Sequence, residues 1–470
     1  MGKKGWRIRR YHNKFMFYFG LAVHIVFYIL LGLGYYFFVY DQLVLSTDVE
    51  VLVYQSDFHL SIGMIIGISV LFEVLFLIFW KKFKMNGSFL TSMKHMDYLG
   101  KMVMNNKMYV EKNVQGRNGK SKRKIVYFPK IYYKRKNGYI TVRFPTDLQK
   151  DQDKFLKMEA NLEHAFFGDM VEIVNEQDFV RYKLLYAPEK ARLNVPDVQI
   201  KEGKVPLMKE YDWNYIKFPH ALVSGVTGGG KSVFMMYILK EFVEMGFDCD
   251  ICDFKRSDMS YFEVIPSFRG KVFDTQDGIA MCIREFREDM DKRKNKLKEL
   301  SKGQAGLDYR DFDMKPRVLF FDEYVAFLSA LDFKEQEKIM KNLQQIVLLG
   351  RQLGFYLVMG MQRPDASFLP NGMRDQFGLR VSLGAMSQQG YAMMYGDTDK
   401  AFKKQPDEVK AWGYAIAGDA NVHQFFAPFM PEGYDFVATV AELLGESPVA
   451  SEAEPEPVGV AEGEEHKSEA

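Results

Sequence analysis

Two long apolar runs open the chain. From Phe15 to Tyr40 the only readily charged side chain is His24, and from Leu60 to Trp80 the run is interrupted only by Glu73. Each is long enough to cross a hydrocarbon core of about 30 Å as a helix. A cleaved signal peptide competes for the first run, but its apolar region is too long and no small-residue cleavage site follows. The flanks set the orientation. Lys3, Lys4, Arg7, Arg9, Arg10 and Lys14 precede the first run, and Lys81, Lys82 and Lys84 follow the second. The connecting segment carries Asp41, Asp48, Glu50 and Asp57 with no Lys or Arg. This asymmetry predicts a two-pass hairpin in the cell membrane, residues 1–84, with both termini cytoplasmic. Helical rise places His24 and Glu73 at depths of roughly 14 and 10 Å, so the two are expected to pair.

The pattern then turns to short alternating runs. Ile131 to Phe144 reads as a hairpin with Asn137-Gly138 at its turn. Lys150 to Phe167 reads as a helix and Val180 to Tyr186 as another strand. Residues 85–200 are therefore expected to form a small α+β domain. Arg117, Lys120, Lys122, Arg123, Lys124, Lys130, Lys134, Arg135 and Lys136 make this region basic, with Tyr127, Phe128, Tyr132 and Tyr133 interleaved. That composition suits nucleic-acid contact, and equally a solvated face beside anionic lipid.

From about residue 201 to 444 the runs become short, fully apolar segments separated by helix-period stretches, as in an α/β fold with a buried parallel sheet. His220 to Ser224, Phe247 to Asp253, Arg317 to Asp322, Phe355 to Met361 and Gly378 to Leu383 read as strands. Gly278 to Leu300 alternates apolar and charged residues as a long surface helix does. Ile339, Leu343, Ile346 and Val347 recur at helical spacing, and that helix ends at Gly350-Arg351-Gln352-Leu353-Gly354.

The chemistry sits at the ends of these strands. Gly225-Val226-Thr227-Gly228-Gly229-Gly230-Lys231-Ser232 fits the phosphate-binding loop pattern, and Val233 continues into an apolar helix-compatible segment. Strand, glycine turn and helix start give backbone N–H groups and a helix dipole aimed at phosphate. Lys231 is expected to reach the outer phosphates of ATP and Ser232 to ligate Mg²⁺. Downstream, the apolar strand ending in Asp322-Glu323 has the Walker B pattern. Asp322 is expected in the Mg²⁺ shell, and Glu323 to orient and polarise the attacking water. Gln362, at the end of the next apolar strand, is a candidate sensor of the outer phosphate.

Composition changes the picture in three places. The 470 residues carry a net charge of +2, but its distribution is uneven: the N-terminus is basic, and a Glu-, Pro- and Ala-rich tail, 445–470, is acidic and expected to be disordered. Three cysteines, Cys249, Cys252 and Cys282, fit a reducing compartment rather than a disulfide framework. Cys249-Asp250-Ile251-Cys252 is formally a redox or metal pair, but it lies in an apolar strand with no second ligand cluster, so structural cysteines are expected.

Taken together, G-V-T-G-G-G-K-S, the F-F-D-E strand, G-R-Q-L-G and M-Q-R-P, in this order, resemble the FtsK/SpoIIIE family of DNA-pumping ATPases. Phe321-Asp-Glu-Tyr-Val-Ala-Phe327, Leu349-Gly-Arg-Gln352, Gln362-Arg-Pro-Asp365 and Gly372-Met-Arg-Asp-Gln-Phe377 are most similar to its single-motor members from Gram-positive conjugative transposons and plasmids. The resemblance implies a RecA-like P-loop ATPase motor that assembles as a homo-hexamer and moves single- or double-stranded DNA. It also implies a role as coupling protein, feeding relaxase-bound DNA to mating-channel proteins. Arg351 matches a family position expected to act in trans on a neighbouring subunit's nucleotide, with Arg363, Arg374 and Arg380 as competitors. Two alternatives stay open: a duplex-DNA translocase for chromosomes or plasmids, and a type VII-like protein-secretion ATPase. A non-hydrolysing scaffold is disfavoured by Lys231, Asp322 and Glu323. The family's chromosome-segregating members end in a winged-helix domain where this chain has its acidic tail. Met386 to Tyr391 also lacks the basic residues usual after the last core strand.

Overall fold

The structure, a computed structural model, describes residues 4–37, 56–86, 88–115, 121–148, 151–365, 368–369, 371–398, 400–403, 410–418 and 421–448. The acidic tail beyond 448, most of the segment joining the two apolar runs, and Arg117 and Lys120 lie outside these residues. Contacts divide the chain into two compact units, Met1–Ala187 and Pro188–Ala470.

In the first unit the apolar runs form helices Phe15–Tyr35 and Ser56–Asn86. Arg10–Tyr35 and His59–Phe79 have mean hydropathies of 2.1 and 2.6, and both are long and apolar enough to cross a membrane. Their shared face is built from aromatics and a small polar cluster: Phe27 and Phe72 stack with ring centroids 3.6 Å apart. Beside them, His24 Nε2 lies 3.2 Å from Glu73 Oε2. The expected pairing is present, and Tyr28 adds a hydroxyl donated to Glu73 Oε1 across 3.1 Å.

The rest of this unit is α+β. Strands β1 (Trp6–Arg7), β4 (Tyr132–Lys136), β5 (Tyr139–Pro145), β7 (Phe179–Leu185) and β6 (Asp169–Glu176) make one antiparallel sheet in the order β1-β4-β5-β7-β6. The β4–β5 turn has φ of 51° at Asn137 and 84° at Gly138. Both central residues are left-handed, as the right-handed twist of a two-residue hairpin requires. Strands β2 (Val110–Gln115) and β3 (Ser121–Tyr127) form a separate hairpin that carries Lys122, Arg123 and Lys124. Strand β1 precedes the first apolar helix in sequence, yet Trp6 and Arg7 pair with Tyr133 and Tyr132, which follow the second.

Helix Ser88–Asn105 covers the sheet with Leu90, Met93, Met96, Leu99 and Val103, which join Ile140, Val142 and Phe144 in one buried cluster. Each such side chain contributes about 1.5–3 kcal/mol on burial. The single helix expected over 150–167 is instead two short ones, Gln152–Phe155 and Glu159–Phe166. The break lets the buried Tyr182 hydroxyl donate to Phe155 O across 2.8 Å and accept from Met158 N across 3.3 Å. A continuous helix would have consumed those backbone groups.

The second unit begins with the short helix Pro188–Ala191 and a 3-10 turn, Val195–Asp197, followed by a small hairpin, β8 (Val205–Met208) and β9 (Tyr211–Trp213). Its main sheet comprises β10 (Ala221–Gly225), β11 (Asp248–Asp253), β12 (Val272–Phe273), β13 (Arg317–Asp322), β14 (Phe355–Met361), β15 (Leu379–Leu383), β16 (Trp412–Ala417) and β17 (His423–Phe426). These eight strands run in the order β12-β11-β13-β14-β10-β15-β16-β17. The six strands from β12 to β15 in that order are parallel, and β16 and β17 close one edge antiparallel. Helices Lys231–Glu244, Gln276–Ser301 and Phe333–Leu353 supply the crossovers. Burial on both faces explains why the central strands read as unbroken apolar runs.

His220 shows how tightly this sheet is tied to its helices. It is wholly buried; its Nε2 donates to Val347 O across 3.0 Å, and its Nδ1 accepts from Leu357 N across 3.0 Å. Both ring nitrogens are satisfied only in the neutral tautomer, and burial pulls the ring's pKa down to about 4.

Candidate nucleotide site

All parallel strands end on one edge of the sheet, and the loops leaving that edge carry the predicted chemistry. After Gly225 at the end of β10, Val226, Thr227 and Gly228 form an exposed loop. Gly228 and Gly230 have φ of 75° and 92°, which a side chain would strain. A Cβ on Gly229 would stand 2.9 Å from Val226 O and 3.0 Å from Leu383 O. Gly230 then caps helix Lys231–Glu244 without any side-chain acceptor for the first-turn N–H groups. A cradle that only glycine can line, ending in open helical N–H groups, fits the phosphates of ATP. Ser232 and Val233 lie in that first turn.

Facing the loop is the end of β13. Lys231 Nζ donates to Asp322 Oδ1, and to Glu323 Oε1 across 2.7 Å. Ser232 Oγ stands 3.5 Å from Asp322 Oδ2. A hydroxyl and a carboxylate side by side next to a phosphate cradle suit Mg²⁺, which takes one or two protein oxygens and completes its shell with phosphate and water. Among the described residues no group of three or more His, Cys, Asp or Glu side chains could hold a metal by itself.

The two acids differ electrostatically. Burial dominates at Asp322 and raises its pKa above the usual carboxylate range, despite Lys231. Burial also opposes ionisation of Glu323, but Lys231 and Lys255 together outweigh it and hold this carboxyl below its ordinary value. Glu323 also sits in a left-handed backbone turn, φ 54° and ψ 40°, at the start of helix Tyr324–Ser329. Such a turn is uncommon for Glu and aims the side chain back toward the loop.

Strand β14 lies between β10 and β13, so its last residues end between the cradle and the acids. Gly360 there leaves room for Asp322, whose Oδ1 would be 2.5 Å from any Cβ. Gln362 follows with an exposed side chain, and its carbonyl accepts from Ser224 Oγ across 2.9 Å. Arg351 is not part of this cluster. It ends helix Phe333–Leu353 at the opposite edge of the sheet and donates from Nε to Ile216 O across 3.1 Å. The length of β14 separates it from the phosphate loop, roughly 20 Å. Of its competitors, Arg374 and Arg380 are held by the carbonyls of Met393 and Met394, while Arg363 is exposed and donates to Gln389 Oε1. Cys249, Cys252 and Cys282 are buried and unbridged, and burial pushes the Cys249 and Cys252 thiols well up, as structural cysteines behave.

Lys255 escaped the sequence reading. Its signal was a lone lysine two residues beyond an apolar strand, and only the pairing of β11 with β13 gives that position meaning.

A glycine cradle, its lysine and hydroxyl, and adjacent carboxylates on one edge of a parallel sheet define a P-loop ATPase. The chain is 41% identical over 356 residues to the FtsK domain-containing protein YdcQ of Bacillus subtilis strain 168, covering 74% of this chain and 73% of that protein. It belongs to the FtsK domain-containing family. It is also 24% identical over 265 residues to the DNA translocase FtsK of Agrobacterium fabrum, spanning 46% of this chain and 29% of the translocase. Among solved structures, the pCW3 conjugation coupling protein TcpA in its monomer form with ATPγS aligns at TM-score 0.47 and 18% identity. That alignment covers 73% of this chain and 96% of TcpA. No family model matches the chain.

Proposed function

We propose that this protein is a membrane-anchored, ATP-driven DNA translocase that serves as a coupling protein in conjugative transfer. The observation that carries the reading is the meeting of Lys231, Ser232, Asp322 and Glu323 on one sheet edge, in a chain 41% identical to an FtsK domain-containing protein. In this reading Lys231 binds the outer phosphates of ATP, and Ser232 and Asp322 hold Mg²⁺. Bound there, Mg²⁺ supplies Lewis-acid neutralisation of phosphoryl charge. Glu323 accepts the proton of the attacking water and fixes its direction of approach. Gln362, exposed beside the loop, reports the state of the outer phosphate, and Arg351 serves a neighbouring subunit in a homo-hexameric ring.

Anchoring by both apolar helices is supported by the placement of β1. A strand ahead of the first helix pairs with residues beyond the second, so the chain returns to its starting side after two crossings. With basic flanks, that side is the cytoplasm. The motif resemblance supports the conjugative role, with relaxase-bound DNA as cargo and mating-channel proteins as the receiving partner.

The test is ATP turnover by the full-length protein with single-stranded DNA, duplex DNA or none, at fixed salt. DNA should raise the rate, and the stimulation should fall steeply as salt rises, because phosphate contacts release counterions. A rate indifferent to DNA but raised by a secreted polypeptide would favour the protein-secretion alternative.

A further inference from the structure

We infer that Lys255 is a positioning residue of the nucleotide site, holding Glu323 in place when Lys231 engages phosphate. This rests on the ATPase reading of the same site. The two oxygens of Glu323 are divided between two lysines: Oε1 accepts from Lys231 across 2.7 Å and Oε2 from Lys255 across 3.0 Å. Lys231 stands in the cradle and is the cation that phosphate competes for. Lys255 comes from the loop after β11, and its bond to Glu323 need not break when nucleotide arrives.

The contact is built by strand register. Asp253 and Asp322 are paired residues at the ends of β11 and β13, so the residues just beyond them meet. The wholly buried Asp253 then folds the following loop around its own carboxylate. Oδ2 accepts from Ser257 N across 2.8 Å, Ser260 N across 3.1 Å and Ser260 Oγ across 3.0 Å, while Oδ1 accepts from Ser257 Oγ across 3.0 Å. Phe254 packs edge-on against Phe327 of the helix that Glu323 begins, and Arg256 bonds Asp274 across 2.8 Å. Arg256 also takes a left-handed φ of 52°. The loop is fixed on both sides of Lys255, whose own side chain is 44% exposed.

Magnitudes decide what this arrangement is for. An ion pair with one partner this exposed adds little to stability. Its consequence lies in the carboxylate. Once Lys231 turns to phosphate, the bond from Lys255 to Oε2 still holds Glu323 in one rotamer. A general base displaced by 1 Å costs on the order of 10²-fold in rate.

Carbodiimide cross-linking of the full-length protein reads the geometry directly. Without nucleotide, mass spectrometry should find amides joining Glu323 to both Lys231 and Lys255. With a non-hydrolysable ATP analogue, the Lys231 amide should fade and the Lys255 amide persist; loss of the Lys255 amide would overturn the proposal. In kinetics, Lys255→Ala should lower kcat at least about tenfold, leave fluorescent ATP-analogue affinity and Tm unchanged, and be largely restored by Lys255→Arg. On the Glu323→Gln background it should have no further effect. A wild-type kcat in Lys255→Ala, or an equal further loss on the Glu323→Gln background, contradicts the inference. If Lys231→Ala and Glu323→Gln also turned over normally, the reading of this site as the centre of ATP hydrolysis would fail. If those two were dead and Lys255→Ala normal, only the role of Lys255 would.

Discussion

His24 and Glu73 face each other across the two apolar helices, with Nε2 and Oε2 3.2 Å apart and the Tyr28 hydroxyl on the other carboxylate oxygen. On the proposed membrane-anchored reading, where a lone charge at mid-bilayer costs about 3 kcal/mol on insertion scales, each residue makes the other tolerable. Membrane polar pairs couple by about 0.6 kcal/mol on average and up to about 1.7. A double-mutant cycle with His24→Leu and Glu73→Leu, read by unfolding in detergent, should give a coupling in that range. Cysteines at both positions should cross-link within one chain. Additive mutations with no cross-link would dismiss the pair.

His220 makes the second unit acid-sensitive. Its folded pKa lies near 4 and its unfolded value is 6.5, so below pH 6.5 the unfolded chain binds a proton that the folded chain does not. The sign is therefore loss of stability as pH falls from 6.5 toward 4, by up to about 3 kcal/mol. Thermal melts of wild type and His220→Gln across this window should show a shallower pH slope in the variant. Equal slopes would mean His220 is not the group responsible.

Gly360→Ala probes the seat of Asp322. The new Cβ would meet Asp322 Oδ1 and Met235 Sδ, each at 2.5 Å, so the carboxylate must shift. Overpacking of this kind costs about 1–3 kcal/mol, which lowers Tm without unfolding the sheet. Turnover should fall far more than stability, with a rise in the Mg²⁺ concentration needed. Wild-type turnover at saturating Mg²⁺ and unchanged metal dependence would place the metal elsewhere.

Arg351 stands too far from its own phosphate loop to serve it, and its predicted role is in trans. Arg351→Ala and Lys231→Ala proteins should each be inactive alone and regain part of the activity when co-assembled. Arg351→Lys should also fail, because a planar fork is replaced by a point charge. Demonstrably mixed rings without recovery would remove Arg351 from the mechanism.

Much of this was legible in the sequence, for identifiable reasons. The phosphate loop and the Asp322-Glu323 strand are local patterns whose chemistry needs neighbouring residues, so they could be read before any fold was known. The Asn137-Gly138 turn was equally local. What escaped depended on distance along the chain. Strand β1 is two residues long and gains its identity only by pairing with Tyr132 and Tyr133. Helix Ser88–Asn105 hides its apolar stripe among methionines and buries His95 and Asp97, so its composition reads as polar. Lys255 needs the β11–β13 register to find Glu323. The split of 150–167 accommodates one hydroxyl, that of Tyr182, arriving from another strand.

Movement of DNA is the central claim, and strand displacement measures it most directly. Full-length protein is given two cargoes: a duplex bearing a triplex-forming third strand, and a single strand blocked by biotin-bound streptavidin. With ATP and Mg²⁺ one of the two blocks should be displaced at a rate that scales inversely with DNA length. Lys231→Ala should displace neither, and Glu323→Gln should bind ATP and DNA yet displace neither. If wild type hydrolysed ATP with both DNAs bound and still displaced neither block, the protein would not be a DNA translocase.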